Sequence, residues 1–382
     1  MKYLRKKIEQ VMQSDEGVRE RVLPGLLYGA SRIYAGAVRL RTACFRAGIM
    51  QVKTLPCPVI SVGNITTGGT GKTPMTVYMA ALVQQMGYRP AVLSRGYMGR
   101  AEKDGAVVSD GYSIFTDSQT AGDEPVLMAC LLRGVPVLVG GDRYRSAMRA
   151  AAEFEPDMVI LDDGFQHLRL YRDVDLVLID SKRGLGNGHL LPRGMLREPV
   201  SGLKRADAIV LTRSRNSPKD NSDIPVFQDI PVFSTDHVAY VAGVYKGSDH
   251  GALAVSALGE SADFSFMTGQ RVFAFSGIAG NEEFRDMLEK HTGPLAGFKE
   301  FPDHYFYTER DLNEIIKTAK ALSADLLATT EKDFVRIAGR VPDSIPVAVV
   351  GVRMEFQDKE EEEGFIRFVR RKLAGNVNEV RI

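Results

Sequence analysis

A mostly parallel α/β fold, with helices on both faces of the sheet and a smaller α/β unit behind it, is what this sequence predicts. Three observations predict it. Apolar strand-like runs alternate with helical stretches; a glycine-rich segment directly follows one of these runs; and a later run ends in two adjacent carboxylates. The 382 residues suffice for two domains with separate cores. A hydrophobic share of 44% with 25% charged residues excludes a disordered chain. The cysteines Cys44, Cys57 and Cys130 are odd in number and lack metal-ligand spacing, so they fit a reducing compartment better than a disulfide framework.

The order of elements begins with a helix. Within residues 22–50, Leu26, Ala30, Ile33, Ala37, Leu40 and Cys44 recur at steps of four and three, the apolar stripe of a helix. Arg32, Arg39 and Arg46 recur every seven residues beside it, and arginine can lay its stem on apolar surface with its head among phosphates. A helix lying in a membrane interface and a helix packed on its own domain with a basic edge explain this pattern equally well. Net charge is +1, yet from Arg21 to Ala101 there are ten Lys or Arg and no Asp or Glu, a surface suited to an anion. No secretory signal precedes the helix, and no run approaches the roughly 18 apolar residues of a bilayer span. The expectation is a cytosolic protein resting on a membrane surface.

Strand candidates follow at residues 59–62, 91–94, 135–139, 158–161, 174–179 and 208–211, with helices at 75–86 and 144–154. The polar, proline-bearing stretch 214–232 marks a domain boundary, and residues 236–247 read as linking strands. A second α/β unit has strands at 272–275, 326–328 and 347–350, and helices at 281–290, 309–322 and about 365–372. The resulting division is 1–50 for the basic amphipathic helix region, 51–228 for the first domain, 229–270 for a β linker and 271–382 for the second domain.

Between the first strand and helix stands "ITTGGTGKTP". It departs from the strict G-x-x-x-x-G-K-[ST] pattern only in that Thr66 replaces the first glycine. Gly68, Gly69 and Gly71 permit close approach of backbone to phosphate, Lys72 can reach the β- and γ-phosphates, and the Thr73 hydroxyl can ligate Mg²⁺. Thr66, Thr67, Gly68, Gly69, Thr70, Gly71, Lys72 and Thr73 are therefore the candidate nucleotide-binding segment of a P-loop NTPase-like sheet. Pro74 is tolerated in a helix's first turn, whose positive end would face the phosphates. The run "DMVILDDGFQH" ends its strand in Asp162 and Asp163, where a nucleotide-bound Mg²⁺ needs an anionic partner.

With these, "LSRGYMGR", "AGDEPVLMA", "GGDRYRSA", "LLPRGMLREP", "FSGIAG", "FPDHY" and "TTEKDFVRI" occur in an order that resembles the tetraacyldisaccharide 4′-kinases, the lipid A 4′-kinases of Gram-negative bacteria, from about Val59 to about Ile337. The resemblance implies ATP- and Mg²⁺-dependent phosphorylation of an acylated glucosamine disaccharide 1-phosphate at its 4′-hydroxyl. It also implies two α/β domains joined by a β linker, and a helix seated in the inner membrane at its cytoplasmic face, which tips the reading of residues 22–50 towards membrane contact. By the same resemblance Asp123 acts as base and His304 pairs with it, forming fully only when the domains close. Tyr305 stands where many members have a second histidine. Gln166 and His167 match positions near the nucleotide; Tyr97, Arg143, Arg197 and Glu198 match positions near the lipid phosphate.

Bland readings stand beside these. Asp123 could be a helix N-cap before Glu124 and Pro125, and His304 a buried loop histidine. "TTEKD" echoes base-reading loops ending in aspartate, but reads more simply as a helix start with Thr330 as cap and Asp333 three residues on. A membrane-tethered P-loop ATPase switch is the main rival function, though it would not require "GDEP" or "DHY". A soluble small-molecule kinase would have no purpose for the basic helix. Nucleic acid is not an expected partner, because the basic stretch lacks interleaved aromatics, and no obligate protein partner is expected.

Overall fold

The structure is a computed structural model describing residues 12, 22–215, 229–246, 264–337, 339–340 and 344–377. The expectations for the polar first 21 residues, for most of the 214–232 boundary and for much of the 229–270 linker fall outside the described residues.

In chain order the first elements are α1 (Val22–Arg46), β1 (Val59–Asn64), α2 (Lys72–Gln85), β2 (Pro90–Ser94) and β3 (Ala106–Ser109). Then come α3 (Ser118–Ala121), α4 (Asp123–Leu131), β4 (Val137–Val139), α5 (Arg143–Phe154), β5 (Met158–Asp162), β6 (Val174–Asp180) and β7 (Ala208–Thr212). The remainder holds β8 (Val232–Tyr245), β9 (Val272–Ser276), α6 (Asn281–Thr292), β10 (Gly297–Glu300) and α7 (Glu309–Ala321). Last are β11 (Leu326–Thr330), α8 (Glu331–Ile337), β12 (Val347–Phe356) and α9 (Lys359–Val377).

Two compact units are each assembled from separate stretches of chain. The first comprises Met1–Thr76, Asp157–His237 and Met354–Ile382; the second comprises Val77–Pro156 and Val238–Arg353.

In the first unit the strands run parallel in the order β8–β7–β6–β1–β5. Ile60 is in register with Ile160 on one side and Val174 on the other. Every residue of β1, β5, β6 and β7 is buried. Parallel strands covered on both faces are apolar at most positions rather than at alternate ones, which is why they read as near-continuous runs. Each fully buried Val, Leu or Ile contributes about 1.5–3 kcal/mol by transfer from water. Because β1 and β5 are parallel neighbours, the loop after Asn64 and the carboxylates after Leu161 emerge at the same edge of the sheet.

The α1 helix ends where Gly48 takes a left-handed φ of 70°. One face lies on its own unit: Ser31 Oγ donates to Leu190 O (2.8 Å), Tyr34 OH to Arg197 O (2.8 Å) and Arg41 Nη2 to Gln166 O (3.1 Å). The predicted apolar stripe is on another face, with Leu26, Ile33 and Leu40 exposed by 69%, 79% and 67%.

In the second unit β2 and β4 are parallel, with β3 antiparallel on β4. A further parallel group runs β10–β9–β11–β12. The Thr308 hydroxyl and the Asp311 carboxylate cap α7 reciprocally. The α9 helix starts at Lys359 rather than near residue 365, because Glu360, Glu361 and Glu362 form its first turn, where negative charge suits the helix dipole. Among the expected strands, the 347–350 run extends to Phe356, and the linking-strand segment becomes β8.

Candidate active site

The glycine-rich loop is shaped by left-handed backbone at Gly68 (φ 108°) and Gly71 (φ 85°). A Cβ on Gly71 would lie 2.2 Å from His237 Nε2, so this position excludes side chains by space as well as by φ. A Cβ on Gly69 would meet nothing within 4 Å, so the loop's other side is open. Thr66 needs no glycine, for it is buried and forms an antiparallel bridge to Leu196, while Thr67 N donates to Met195 O at 2.8 Å. Asn64 Nδ2 donates to Thr70 Oγ1 (2.8 Å) and Thr212 Oγ1 to Thr70 O (3.2 Å), tying the loop to the ends of β1 and β7.

Lys72, the first residue of α2, puts Nζ 3.7 Å from Asp163 Oδ1. Arg197 Nη1 donates to both oxygens of Asp163 at 3.0 Å. Asp163 holds a left-handed φ of 52°, a strained conformation for a residue other than glycine. Asp162 stays buried, where Thr76 Oγ1 donates to its Oδ1 at 3.3 Å. Thr73 is buried as well. Gln166 Nε2 donates to Asn64 O (2.7 Å) and to Glu198 Oε1 (2.8 Å), and Arg205 Nη2 donates to Glu198 Oε2 (2.8 Å). The His167 backbone oxygen accepts from Arg172 Nη1 at 3.0 Å.

Among the described residues no three His, Cys, Asp or Glu cluster as a self-sufficient metal cage. A nucleotide-bound Mg²⁺ needs none, because it takes a hydroxyl, a carboxylate, phosphate oxygens and water. Thr73, one residue after Lys72, offers a hydroxyl, and Asp162 and Asp163 offer carboxylates, the donor types such an ion takes.

The second constellation lies within the second unit. Gly122, with φ 88°, occupies the cap of α4, so Asp123 is the first helical residue and its carboxylate is not spent on capping. Asp123 Oδ2 accepts from His304 Nδ1 at 2.8 Å and from Arg336 Nη2 at 2.5 Å. The pair expected to complete on closure is thus already made here. Burial alone would raise the Asp123 pKa, but the hydrogen bonds from His304 and Arg336 outweigh it and hold the carboxyl below its usual range. The same bond raises the pKa of His304 against the opposing effect of burial. His304 has φ 57° and donates its backbone N–H to Gly277 O at 3.1 Å. The Tyr97 ring meets the His304 ring edge-on, centroids 6.1 Å apart. Next to Asp123, Glu124 accepts from Lys332 Nζ at 2.5 Å; both side chains are a third exposed, so this pair contributes at most about 1 kcal/mol.

Not every predicted residue joins one of these groups. Arg143 is buried at the start of α5, with Nη1 donating to Gly140 O at 2.7 Å. Asp333 of "TTEKD" is fully buried and accepts from Gly277 N, Tyr307 OH, Thr330 Oγ1 and Arg336 Nη1, which makes the segment a capped helix start. Sequence reasoning missed Arg336 and His237. Arg336 follows Asp333 at helical spacing, a signal for an ion pair but not for its contact with Asp123. Burial, followed by the Arg213 guanidinium, lowers the His237 pKa to about 4. Arg213 Nε donates to its Nδ1 at 3.2 Å, so the neutral ring carries its hydrogen on the Nε2 that faces Gly71.

A family model described as tetraacyldisaccharide-1-P 4'-kinase matches residues 23–373. The tetraacyldisaccharide 4'-kinase of Desulfatibacillum aliphaticivorans is 40% identical over 370 residues, covering 96% of this chain and 98% of the relative. The tetraacyldisaccharide 4'-kinase of Geobacter metallireducens is 42% identical over 319 residues, covering 83% and 90%. Among solved structures, LpxK from Aquifex aeolicus, described as an "apo" form in complex with ATP, matches with a TM-score of 0.72 at 30% identity. That match covers 92% of this chain and all of that one.

Proposed function

This chain belongs to the tetraacyldisaccharide-1-P 4'-kinase family, and on that premise we propose how its residues carry the reaction. It phosphorylates the 4′-hydroxyl of tetraacyldisaccharide 1-phosphate with ATP and Mg²⁺, forming the 1,4′-bisphosphorylated lipid A precursor. One observation carries the residue-level reading: a glycine loop with Lys72 beside Asp163 and Arg197 at the sheet edge, the equipment for gripping a triphosphate.

Lys72 and the amides of Gly68–Thr73 hold the phosphates, aided by the positive end of α2. Thr73 with Asp162 or Asp163 would hold Mg²⁺, which when bound would neutralise charge on the phosphates. Gln166 and His167 are assigned to the nucleotide side and Tyr97, Arg197 and Glu198 to the acceptor, while Arg143, buried against Gly140 O, stands apart from both groups. Asp123 takes the proton of the 4′-hydroxyl as that oxygen bonds the γ-phosphorus and the bond to the ADP oxygen breaks. His304 orients Asp123 by holding Oδ2. A nucleotide switch would have no use for a carboxylate oriented in this way.

The division into residues 1–50, 51–228, 229–270 and 271–382 goes with this reading, as contact region, kinase domain, linker and second domain. Among the described residues no helix is long and apolar enough to cross a membrane. The uncovered stripe of α1, flanked by arginines, supports contact with the cytoplasmic face of the inner membrane, because a helix packed only on its own domain would bury that stripe.

Incubation with radiolabelled ATP, Mg²⁺ and the acylated disaccharide in detergent micelles should put label on the distal sugar. Lys72→Ala and Asp123→Ala should each lower turnover by at least about 100-fold with unchanged circular dichroism, and His304→Ala by less. Near-normal turnover by Asp123→Ala would remove the base, and label released only as inorganic phosphate would favour the switch.

A further inference from the structure

We propose that Arg336 is a positioning residue that, together with His304, occupies Oδ2 of Asp123 and so makes Oδ1 the atom that receives the hydroxyl proton. The inference rests on the reading of Asp123 as base and adds to it the geometry by which that base is aimed.

Both donors, His304 Nδ1 at 2.8 Å and Arg336 Nη2 at 2.5 Å, fall on the same oxygen. Among the described residues, no hydrogen bond reaches Oδ1. The guanidinium is itself fixed before it meets Asp123. Its Nη1 donates to Gly277 O and to Asp333 Oδ1, each at 2.8 Å. Asp333 is fixed in turn by Gly277 N (3.0 Å), Tyr307 OH (2.8 Å) and Thr330 Oγ1 (2.7 Å). The Arg336 side chain is only 3% exposed. A clamp anchored on the end of β9 and the first turn of α8 therefore reaches the first residue of α4.

A charge-assisted bond from a planar guanidinium fixes a carboxylate's rotation as well as its charge. An oxygen already accepting two such bonds is a poor proton acceptor, so the incoming proton goes to the open one. The hydroxyl O–H bond breaks, its proton joins Oδ1, and the freed electron pair forms the bond to phosphorus while ADP leaves. Guanidinium and imidazole lower the carboxylate's basicity, but phosphoryl transfer asks for an oriented acceptor more than a strong one.

The test compares full-length wild type, Arg336→Ala, Arg336→Lys and Asp123→Ala. Arg336→Ala should lose at least about tenfold in kcat at pH 7 with KM for ATP unchanged. Its acidic limb should move up by about one to three pH units, the shift that losing an adjacent arginine gives a carboxylate. Arg336→Lys should leave that limb nearly in place. Millimolar guanidinium should restore part of the Arg336→Ala rate through the pocket of about 460 Å³ lined by Ile114, Val126, Phe306, Arg336 and Arg340. A folded Arg336→Ala whose pH profile superimposes on the wild type overturns the proposal. Should that variant fail to fold, NMR titration of the Asp123 carboxyl in the wild type decides, because a pKa at or above the ordinary aspartate range overturns it. Wild-type turnover by Asp123→Ala would instead sink the base assignment itself, whatever Arg336→Ala does.

Discussion

Glu331 is a carboxylate in a place that resists its charge. It is buried, Tyr240 OH donates to its Oε1, and Gly351 packs so closely that a Cβ there would lie 2.3 Å from its Cδ. Burial pushes its pKa up from 4.5 to about 7. A raised folded pKa means stability that is fully present below about pH 4.5 and is lost as pH rises through about 7. The shift corresponds to about 3 kcal/mol. Glu331→Gln keeps an acceptor for Tyr240 without the charge. It should raise Tm at pH 8 and leave it nearly unchanged at pH 5, measured by calorimetry; the same Tm change at both values would mean that folding does not raise the Glu331 pKa. At this scale the sequence singled out Lys72 and Asp163, which the fold brings together, because their signals lie in short local patterns. It could not disclose the bond from Arg336 to Asp123, whose partners stand 213 residues apart and meet only through the fold.

Helix α1 carries its consequence as an element. Its stripe residues Leu26, Ile33 and Leu40 are exposed, so replacing all three with Gln should cost the fold little, within about 0.5 kcal/mol per site. If the stripe enters a bilayer, the triple variant should bind anionic vesicles at least about tenfold more weakly in sedimentation, since each apolar side chain contributes more than 1 kcal/mol on burial. Unchanged vesicle binding would leave the stripe without that role. Most elements were legible, because buried parallel strands read as apolar runs and the helices carry local caps such as Asp142 before α5. Three were not. Antiparallel β3 and half-exposed β10 have only four residues each, and the helical run from Ser118 to Leu131 is broken in sequence by Gly122 and Pro125. The helix that carries Asp123 is therefore anticipated only in the alternative reading of Asp123 as its cap, one position from its place as the first helical residue.

At the scale of the whole molecule, the unit that contains the phosphate loop also contains α9. Phe365 and Phe368 of α9 pack on Phe233 with ring centroids 5.1 and 5.6 Å apart, and Lys372 Nζ donates to Asp207 Oδ1 at 2.5 Å. A chain ending at Arg353 should therefore lose ATP binding and resistance to pulse proteolysis together, although it keeps every residue of the phosphate loop; retention of both would make α9 dispensable. The same arrangement bears on birth rather than on operation. On the ribosome, the stretches of that unit made before α9 must wait, half-dressed, for it. A pause in translation near residue 350 would leave Phe233 on β8 and the neighbouring part of β6 exposed to chaperones and proteases until α9 is made.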